Sequence, residues 1–447
     1  MLIRFTVENF KSFKDRQTIS MAASKATRMY EHVINLSNKR LLKGAFIFGA
    51  NAGGKSNLIK AIDFARKYIL FGSDCLDFSK NHFRLSAESF SQPGSFQFDI
   101  MINETAYSYG FAFSYITKNI VAEWLYDIDK DKCIFERNFD EEKNKISLYT
   151  DYKLNQSDSR RFQVYKEDYE ETENLTARKR LFLSDMASKS VKDSDFFKLF
   201  FDVFQWFTKL IVIFPESKFE GLTSLIKESS LKSIFEEYLK YFDTGVESID
   251  QKEIDFDTIF KNIPNEIVHS IRADISNNLT QNDSISLNIA GTLYTLRQDN
   301  EGNITSDVML LNHGNQSDLF ECEDESDGTQ RLFDLIPLIL STMDNTVIII
   351  DEIDRSLHSC LTKKFIETFY SASDGTHSQM IATTHESAVM DLSFVRQDEI
   401  WFIEREKNHQ SIIYSLNKFN ERFDKKVEKD YLLGRYGAIP CFKQNLE

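Results

Sequence analysis

This 447-residue chain has few cysteines and few prolines, and its net charge is negative. Each of these features excludes a class of protein. The five cysteines contain no C-x-x-C pair, so they fit reduced thiols in a cytoplasm better than a disulfide framework or a zinc site. Five prolines are too few for long disordered linkers. The net charge of −15 has no dominant basic tail to offset it, so duplex DNA is not the expected partner of the bulk surface. The cysteines are Cys75, Cys133, Cys322, Cys360 and Cys441.

Long, uniformly apolar runs are also missing. The start, Met1–Val7, alternates like a strand and lacks the apolar core of a secretory signal. The most apolar later stretch, Phe196–Phe214, contains Lys198, Asp202 and Lys209, so it predicts a buried or interface helix rather than a membrane span. We therefore expect a cytoplasmic protein. Its 42% hydrophobic content is enough for a large core, and its length predicts two or three domains.

The most informative segment that is present is Gly49–Ser56, which has the pattern G-x-x-x-x-G-K-S directly after the apolar run Ala45–Phe48. In this pattern the glycines let backbone N–H groups surround phosphate oxygens, Lys55 reaches the terminal phosphates, and the Ser56 hydroxyl ligates Mg²⁺. The helix expected over Lys55–Leu70 directs its positive end at the anion. An ordinary glycine-rich turn is the alternative. The nucleotide-binding residues that this pattern predicts are Gly49, Asn51, Gly53, Gly54, Lys55, Ser56 and Asn57.

A second candidate lies about three hundred residues later, where the apolar run Thr346–Ile350 ends in Asp351 and Glu352. Such a run predicts a buried parallel strand whose carboxyl end faces the ligand. Asp351 would hold Mg²⁺ through water, and Glu352 would orient and polarise the attacking water. The alternative is a core strand that happens to end in acidic residues.

Two further segments are weaker when taken alone. A strand over 378–384 is followed by His385, which could contact the γ-phosphate or the catalytic water, or could be a structural histidine. Ser326 would cap a helix that runs to about Ser341, and Gly328 would allow close backbone approach, which together make an anion site. An ordinary capped helix is the alternative for this second segment.

The order of these motifs resembles the ABC-type ATPase heads of the SMC, RecF and OLD families over roughly residues 1–130 and 320–405. By this resemblance Ser326–Gly328 is the signature motif, although Asp327 replaces its usual first glycine. Asp351 and Glu352 form the Walker B pair, and His385 is the switch histidine. Ile353–His358 corresponds to the D-loop, and Val7–Phe13 to the first strand and turn near the adenine. Gln92 and Gln97 are candidates for the glutamine lid, but neither has a recognisable context.

Within this group the chain looks most like stand-alone ATPases of bacterial anti-phage and abortive-infection operons. The helix start Glu325–Thr329 and the segment Tyr431–Pro440 are typical of them. The second segment implies membership and no known chemistry, and it could simply be a tail that packs on the core.

The predicted fold is α/β: a P-loop ABC-ATPase head, with a mixed sheet flanked by helices, an antiparallel β subdomain and a compact helical insertion. Residues 1–155 form the first half of the head, 156–283 the helical insertion for dimerisation or partner docking, and 284–447 the second half. Alternating residues over 95–150 predict antiparallel strands, with turns near Asn103–Glu104 and Lys118–Asn119. An apolar stripe from Leu231 to Phe242 predicts a helix that stops near Asp243. Residues 284–320 return to strands, with turns at 291–292 and 300–303.

The function expected from this fold is an ATP-hydrolysing switch that senses infection and controls a separate effector. Two copies would bind ATP head to tail, each phosphate loop facing the signature of the other, in a homodimer or a higher homo-oligomer. The cofactors are ATP and Mg²⁺, and the catalytic residues are Glu352, His385 and Lys55.

The stretch after His385 is too short for the nuclease domain of OLD-type proteins. The resemblance therefore allows a separate TOPRIM-type, HNH-type or RloB-like effector, and a phage protein as trigger.

Two other functions stay open at this point. One is a nucleotide-gated scaffold that stores a toxic effector and barely turns over. The other is a DNA-repair ATPase of the RecF or SMC kind, against which the acidity and the absence of a long heptad pattern count. Contact with nucleic acid is not decided by the sequence, because Arg178–Arg180 and Lys425–Lys426 are clusters of a size that usually forms solvated faces.

Overall fold

Strands and helices alternate along the part of the chain that the computed structural model describes, which is residues 1–36, 38–171, 175–189, 194–217, 228–261, 264–278, 284–289, 292–298, 303–419, 421–422 and 424–440. The strands are β1 (Leu2–Glu8), β2 (Gln17–Ser20), β3 (Val33–Asn35), β4 (Arg40–Leu42), β5 (Gly44–Phe48), β6 (Gly94–Ile102), β7 (Thr105–Phe113), β8 (Ile120–Asp127), β9 (Lys132–Asp140), β10 (Lys145–Tyr149), β11 (Ile211–Ile213), β12 (Ser248–Ile254), β13 (Ser284–Ile289), β14 (Thr292–Gln298), β15 (Ile304–Asn312), β16 (Phe320–Glu321), β17 (Val347–Ile350), β18 (Gln379–Thr383), β19 (Ile400–Arg405) and β20 (Ser411–Ser415). The α-helices are α1 (Lys55–Phe71), α2 (Gln156–Glu170), α3 (Leu175–Lys179), α4 (Phe182–Ser188), α5 (Asp195–Thr208), α6 (Ser229–Tyr241), α7 (Phe256–Ile259), α8 (Asn265–Asn278), α9 (Asp327–Leu340), α10 (Ser359–Ala372) and α11 (Val427–Leu432).

The chain divides into two compact units. The first comprises Met1–Pro215, Thr342–Ile353 and Phe369–Glu447, and the second comprises Glu216–Ser341 and Asp354–Thr368. This division differs from the one drawn on the sequence, because the first unit continues past residue 155 to Pro215 and residues 284–341 belong to the second. The role of 156–283 in dimerisation or docking remains a prediction.

A six-stranded mixed sheet lies at the centre of the first unit, in the order β11-β17-β18-β5-β19-β20. The first five of these strands run parallel, and β20 pairs antiparallel with β19. Every residue of β5, β17 and β18 is buried, as expected for continuous apolar runs covered on both faces. The carboxyl ends of these three strands therefore meet at one edge of the sheet.

A seven-stranded antiparallel sheet, β10-β9-β8-β7-β6-β1-β2, forms the second layer of the first unit. Its hairpins turn at Asn103–Glu104 and near Lys118–Asn119, as the sequence predicted. Helices α2, α4 and α5 lie in the same unit, and the aromatic side chains of α5 enter a core shared with this sheet. The predicted α/β fold with a mixed sheet and an antiparallel part is confirmed.

The helix predicted over Phe196–Phe214 is shorter than expected. Helix α5 ends at Thr208, and Ile211–Ile213 form β11, which pairs parallel with β17. Three consecutive β-branched residues suit a strand better than a helix, and the unpaired edge of β17 gives them a partner.

The second unit contains strands as well as the predicted helices. Helix α6 matches the predicted apolar stripe. However, β12 lies inside the stretch predicted to be helical, and it pairs with β15 in a sheet of order β12-β15-β14-β13, to which β16 is added. The return to strands after 284 is confirmed, whereas the predicted turn at 291–292 lies partly, and that at 300–303 mostly, outside the described residues.

Candidate active site

The phosphate loop follows the central strand β5 and ends at the first residue of α1. Gly54, at the N-cap of α1, has φ of 118°, a conformation that favours glycine. At Gly49, a Cβ atom would overlap the carbonyl oxygen of Ile403 on the neighbouring strand β19. The glycines of the pattern are therefore required by the backbone around them, and the loop opens α1 as predicted.

The Lys55 side chain is buried along the loop, with 6% of its surface exposed. Its Nζ donates to the carbonyl oxygens of Gly49 at 2.6 Å and Ala50 at 3.4 Å. The ammonium group thus lies across the mouth of the loop, where it can exchange carbonyl contacts for phosphate oxygens. Ser56 is half-buried at the start of α1, and Asn51 is exposed.

Two serines that the sequence did not single out for a role hold the loop in place. Ser411, the first residue of β20, donates its hydroxyl to the Gly53 carbonyl oxygen at 2.6 Å and its N–H to the Ser12 carbonyl at 2.8 Å. The Ser12 hydroxyl in turn accepts from Asn57 at 2.9 Å. Asn57 is therefore bound to the first turn of the chain rather than to the loop itself. No local sequence pattern predicts the role of Ser411, because its partners are several hundred residues away.

A positive charge lies beside this first turn. Burial lowers the pKa of Lys11, the nearby Lys60 lowers it further, and Asp77 opposes both effects. A lowered lysine pKa means that the surroundings disfavour the ammonium form.

The acidic pair follows β17 at the same edge of the sheet. Asp351 is 2% exposed, and its carboxylate accepts from the Thr383 hydroxyl at 2.6 Å. Glu352 is half-buried and has φ of 51°, a left-handed conformation that is uncommon outside glycine. Strained residues of this kind often occur at functional sites.

His385 follows β18, the strand between β5 and β17. Its side chain is exposed. The preceding Thr384 donates its N–H to the Ile47 carbonyl at 3.0 Å, and its hydroxyl accepts from the Glu386 N–H at 3.0 Å. The segment that carries His385 is thus anchored to the strand that leads into the phosphate loop.

The oxygen donors predicted for Mg²⁺ are the Ser56 hydroxyl and the Asp351 carboxylate. The described residues contain no cluster of three or more His, Cys, Asp or Glu side chains that could hold a metal ion. Mg²⁺ commonly uses one or two protein oxygens together with substrate phosphates and water. This donor set fits Mg²⁺ held with a nucleotide better than a site built from protein ligands alone.

The predicted signature residues lie in the second unit. The Ser326 hydroxyl caps α9 by accepting from the Thr329 N–H at 3.2 Å. A Cβ on Gly328 would lie 2.9 Å from the carbonyl oxygen of Ser356, in the predicted D-loop, so only glycine fits without a shift. The start of α9 and the D-loop are therefore in direct contact.

The hydrogen bonds of Gln92 and Gln97, the two candidates for the glutamine lid, are made to residues outside the phosphate loop. The Gln97 side chain bonds Arg16, Asp99 and Ser108 within the antiparallel sheet. Gln92 is exposed, and its carbonyl accepts from Asn9 at 2.9 Å.

Comparison with known protein families gives one match. The profile of the family described as "AAA domain, putative AbiEii toxin, Type IV TA system" matches residues 45–391. Because this match spans most of the chain, the protein belongs to that family. It contains the AAA domain of that family, in keeping with the phosphate loop and the acidic strand end found in its sequence. No curated protein sequence matches it.

Solved structures of SMC heads are among those similar to it. An SMC head bound to the C-terminal winged-helix domain of ScpA has 14% identity and a TM-score of 0.41, covering 94% of this chain and 99% of that one. The SMC head domain from Thermotoga maritima has 11% identity and a TM-score of 0.34, with 93% and 98% covered. The Pyrococcus furiosus SMC head with an extended coiled coil, bound to the C-terminal domain of ScpA, has 14% identity and a TM-score of 0.33, with 96% and 99% covered.

Among the described residues, no helix combines the length and the apolarity needed to cross a membrane.

Proposed function

We propose that this protein binds and hydrolyses MgATP at the carboxyl edge of its central sheet. The observation that carries this proposal is that adjacent strands β5, β18 and β17 end in the phosphate loop, in Thr384–His385 and in Asp351–Glu352, respectively. Membership of an AAA family supports the same reaction. The proposed site lies in the cytoplasm, in keeping with the scattered cysteines.

Each group has a separate role in this proposal. The backbone N–H groups of the phosphate loop and the Lys55 ammonium bind the β- and γ-phosphates of ATP. Ser56 and Asp351 hold Mg²⁺, which neutralises phosphate charge when bound. Glu352 orients a water molecule and accepts its proton as the water oxygen attacks the γ-phosphorus. The bond to the bridging oxygen breaks, ADP leaves, and His385 reports the presence of the γ-phosphate.

Two copies complete the site in a head-to-tail sandwich. The Ser326 hydroxyl and the N–H groups at the start of α9 supply an anion-binding end to the partner's ATP. ATP then holds the dimer together, and hydrolysis releases it. Because Gly328 contacts Ser356, the start of α9 and the D-loop would respond together to this event.

The biological role that we propose is the ATPase subunit of a two-component anti-phage defence system. The family description names a toxin of a type IV toxin–antitoxin system, which supports a role in a defence operon. A separate effector, of which a nuclease is one kind, would carry out the destructive step. A phage product would act as the trigger.

The test of hydrolysis compares wild type, Lys55→Ala and Glu352→Gln in phosphate-release and ATP-binding assays. We expect Glu352→Gln to keep ATP binding and lose about 10²–10⁴-fold in turnover, the usual contribution of a general base. Lys55→Ala should lose binding. Lys67→Ala, on the same helix and paired with Asp63, and Glu367→Gln, an exposed residue paired with Lys364, are the matched controls.

The outcomes separate the candidate functions. ATP binding without turnover would exclude the hydrolytic switch and favour the nucleotide-gated scaffold. Turnover stimulated by DNA in a salt-sensitive way would favour a repair ATPase. Mass photometry should show twice the 52.1 kDa monomer mass for Glu352→Gln with ATP, and monomer for Lys55→Ala. Co-purification with the product of the neighbouring gene tests the two-component arrangement.

A further inference from the structure

Thr383 is hydrogen-bonded to the three consecutive residues that follow β17, which are Asp351, Glu352 and Ile353. As the last residue of β18, it donates its hydroxyl to the Asp351 carboxylate at 2.6 Å, and the same hydroxyl accepts from the Glu352 N–H at 2.8 Å. Its carbonyl accepts from the Ile353 N–H at 3.0 Å. Only the first two of these bonds depend on the side chain, so they can be removed without altering the third.

The direction of the two side-chain bonds is determined by chemistry. A backbone N–H can only donate, so the Thr383 oxygen is the acceptor from Glu352, and its single hydrogen is directed to Asp351. A hydroxyl that donates to a carboxylate makes a short, charge-assisted bond. Both Thr383 and Asp351 are buried, at 0% and 2% exposure, where such bonds are stronger than in water.

The bond to Glu352 has a second consequence. A non-glycine residue in the left-handed region is sterically disfavoured, and Glu352 is in that region with φ of 51°. Its N–H donates to the Thr383 hydroxyl at 2.8 Å. The hydroxyl therefore helps to retain a backbone geometry that a carboxylate residue would not adopt by itself, and with it the direction of the Glu352 side chain.

We propose that the Thr383 hydroxyl is a positioning group for ATP hydrolysis, which sets the metal-binding carboxylate of Asp351 and the base Glu352 in one arrangement. This inference rests on the proposed function. Thr383 is also the neighbour of Thr384, which anchors the His385 segment to β5. Thr383 thus lies next to that segment in the chain and is hydrogen-bonded to both acidic residues.

The test replaces Thr383 by Val, which keeps the shape and loses the hydroxyl, and by Ser, which keeps the hydroxyl. We expect Thr383→Val to lower kcat by about 10–100-fold and to raise the Mg²⁺ concentration at half-maximal turnover by about tenfold, the usual effects of losing a group that orients a metal ligand. The KM for ATP should change little, and Thr383→Ser should restore both values to within about threefold of wild type. The control is Thr362→Val, because the buried Thr362 hydroxyl has no hydrogen-bond partner among the described residues.

A second measurement keeps this inference separate from the proposed hydrolysis. The Mg²⁺ dependence of binding is followed with a fluorescent ATP analogue in wild type and in the three variants. If wild type binds the analogue but does not turn over ATP, the proposed hydrolysis fails, yet a shifted Mg²⁺ midpoint in Thr383→Val still supports the positioning role. Wild-type turnover and Mg²⁺ dependence in a folded Thr383→Val protein would overturn it, as would a defect that Thr383→Ser does not repair.

Discussion

At the scale of single residues, the phosphate loop is held by contacts that leave no room for a side chain at position 54. The left-handed backbone of Gly54 is one constraint, and the Ser12 and Ser411 hydroxyls, which a Cβ would meet, are the other. Gly72, at the far end of the same helix, also has a positive φ, of 79°, but nothing lies within 4 Å of its Cβ position. A side chain would therefore meet neighbouring atoms at Gly54 but not at Gly72.

We expect Gly54→Ala to combine a backbone cost of about 1–2 kcal/mol with an overpacking cost of about 1–3 kcal/mol, and to lose ATP binding. Gly72→Ala should show the backbone cost alone and bind ATP normally. Urea unfolding and nucleotide titration of both variants provide the measurements. A folded Gly54→Ala protein that binds ATP like wild type would show that the serine contacts do not constrain the loop.

Some residues of the site could be found from the sequence, and others could not. Gly49, Lys55 and Asp351 stand in patterns whose chemistry depends on local spacing. By contrast, Thr383 and Ser411 are ordinary strand residues, and their partners are 32 and 358 positions away. Nothing in their immediate neighbours distinguishes them from other serines and threonines.

At the scale of elements, α5 shows how an aromatic helix is divided between core and surface. Phe200 is fully buried and contacts the rings of Phe135 and Phe182 at centroid distances of 5.3 and 5.7 Å. The next residue, Phe201, is 43% exposed. A helical turn of 3.6 residues directs adjacent side chains about 100° apart, so identical residues have different environments.

Phe200→Ala should destabilise the first unit by about 3–5 kcal/mol, because it removes a buried ring from a close-packed core. Phe201→Ala should change stability by about 0.5 kcal/mol, as is usual for surface positions. All three tryptophans, Trp124, Trp206 and Trp401, lie in the first unit, so their fluorescence follows its unfolding in urea. Similar midpoints for the two variants would contradict the burial of this helix face.

The type of an element could be predicted where its apolar pattern extended over many residues. Helices α1, α6 and α9 lie where their patterns predicted them. The short β11 was missed, because three apolar residues after a helix can continue it or start a strand. Its pairing with β17 decided the outcome.

At the scale of the whole molecule, the proposed nucleotide site links parts of the chain that are far apart in sequence. The phosphate loop follows β5, while Asp351 follows β17, and β18 lies between these two strands in the sheet. A ligand that binds this arrangement and not the unfolded chain must stabilise the folded protein by mass action.

We expect ATP with Mg²⁺, at about 100 times its Kd, to stabilise the wild-type protein by about 2.7 kcal/mol. Lys55→Ala should show no such effect, and Lys67→Ala should behave as wild type. A thermal-shift titration measures all three proteins under the same conditions. A shift that persists in Lys55→Ala would place nucleotide binding somewhere other than the phosphate loop.

The sequence by itself determined the candidate motifs: a phosphate loop, an acidic strand end and a histidine strand end, in an order that resembles an ABC-type ATPase head. These signals are local, because a few consecutive residues create the backbone and side-chain geometry that each motif needs. Only the tertiary structure decided which hydroxyls hold these motifs, that β11 joins the central sheet, and where the compact units divide the chain. Those features depend on contacts between distant segments, whose free energy is not encoded in any single stretch of residues.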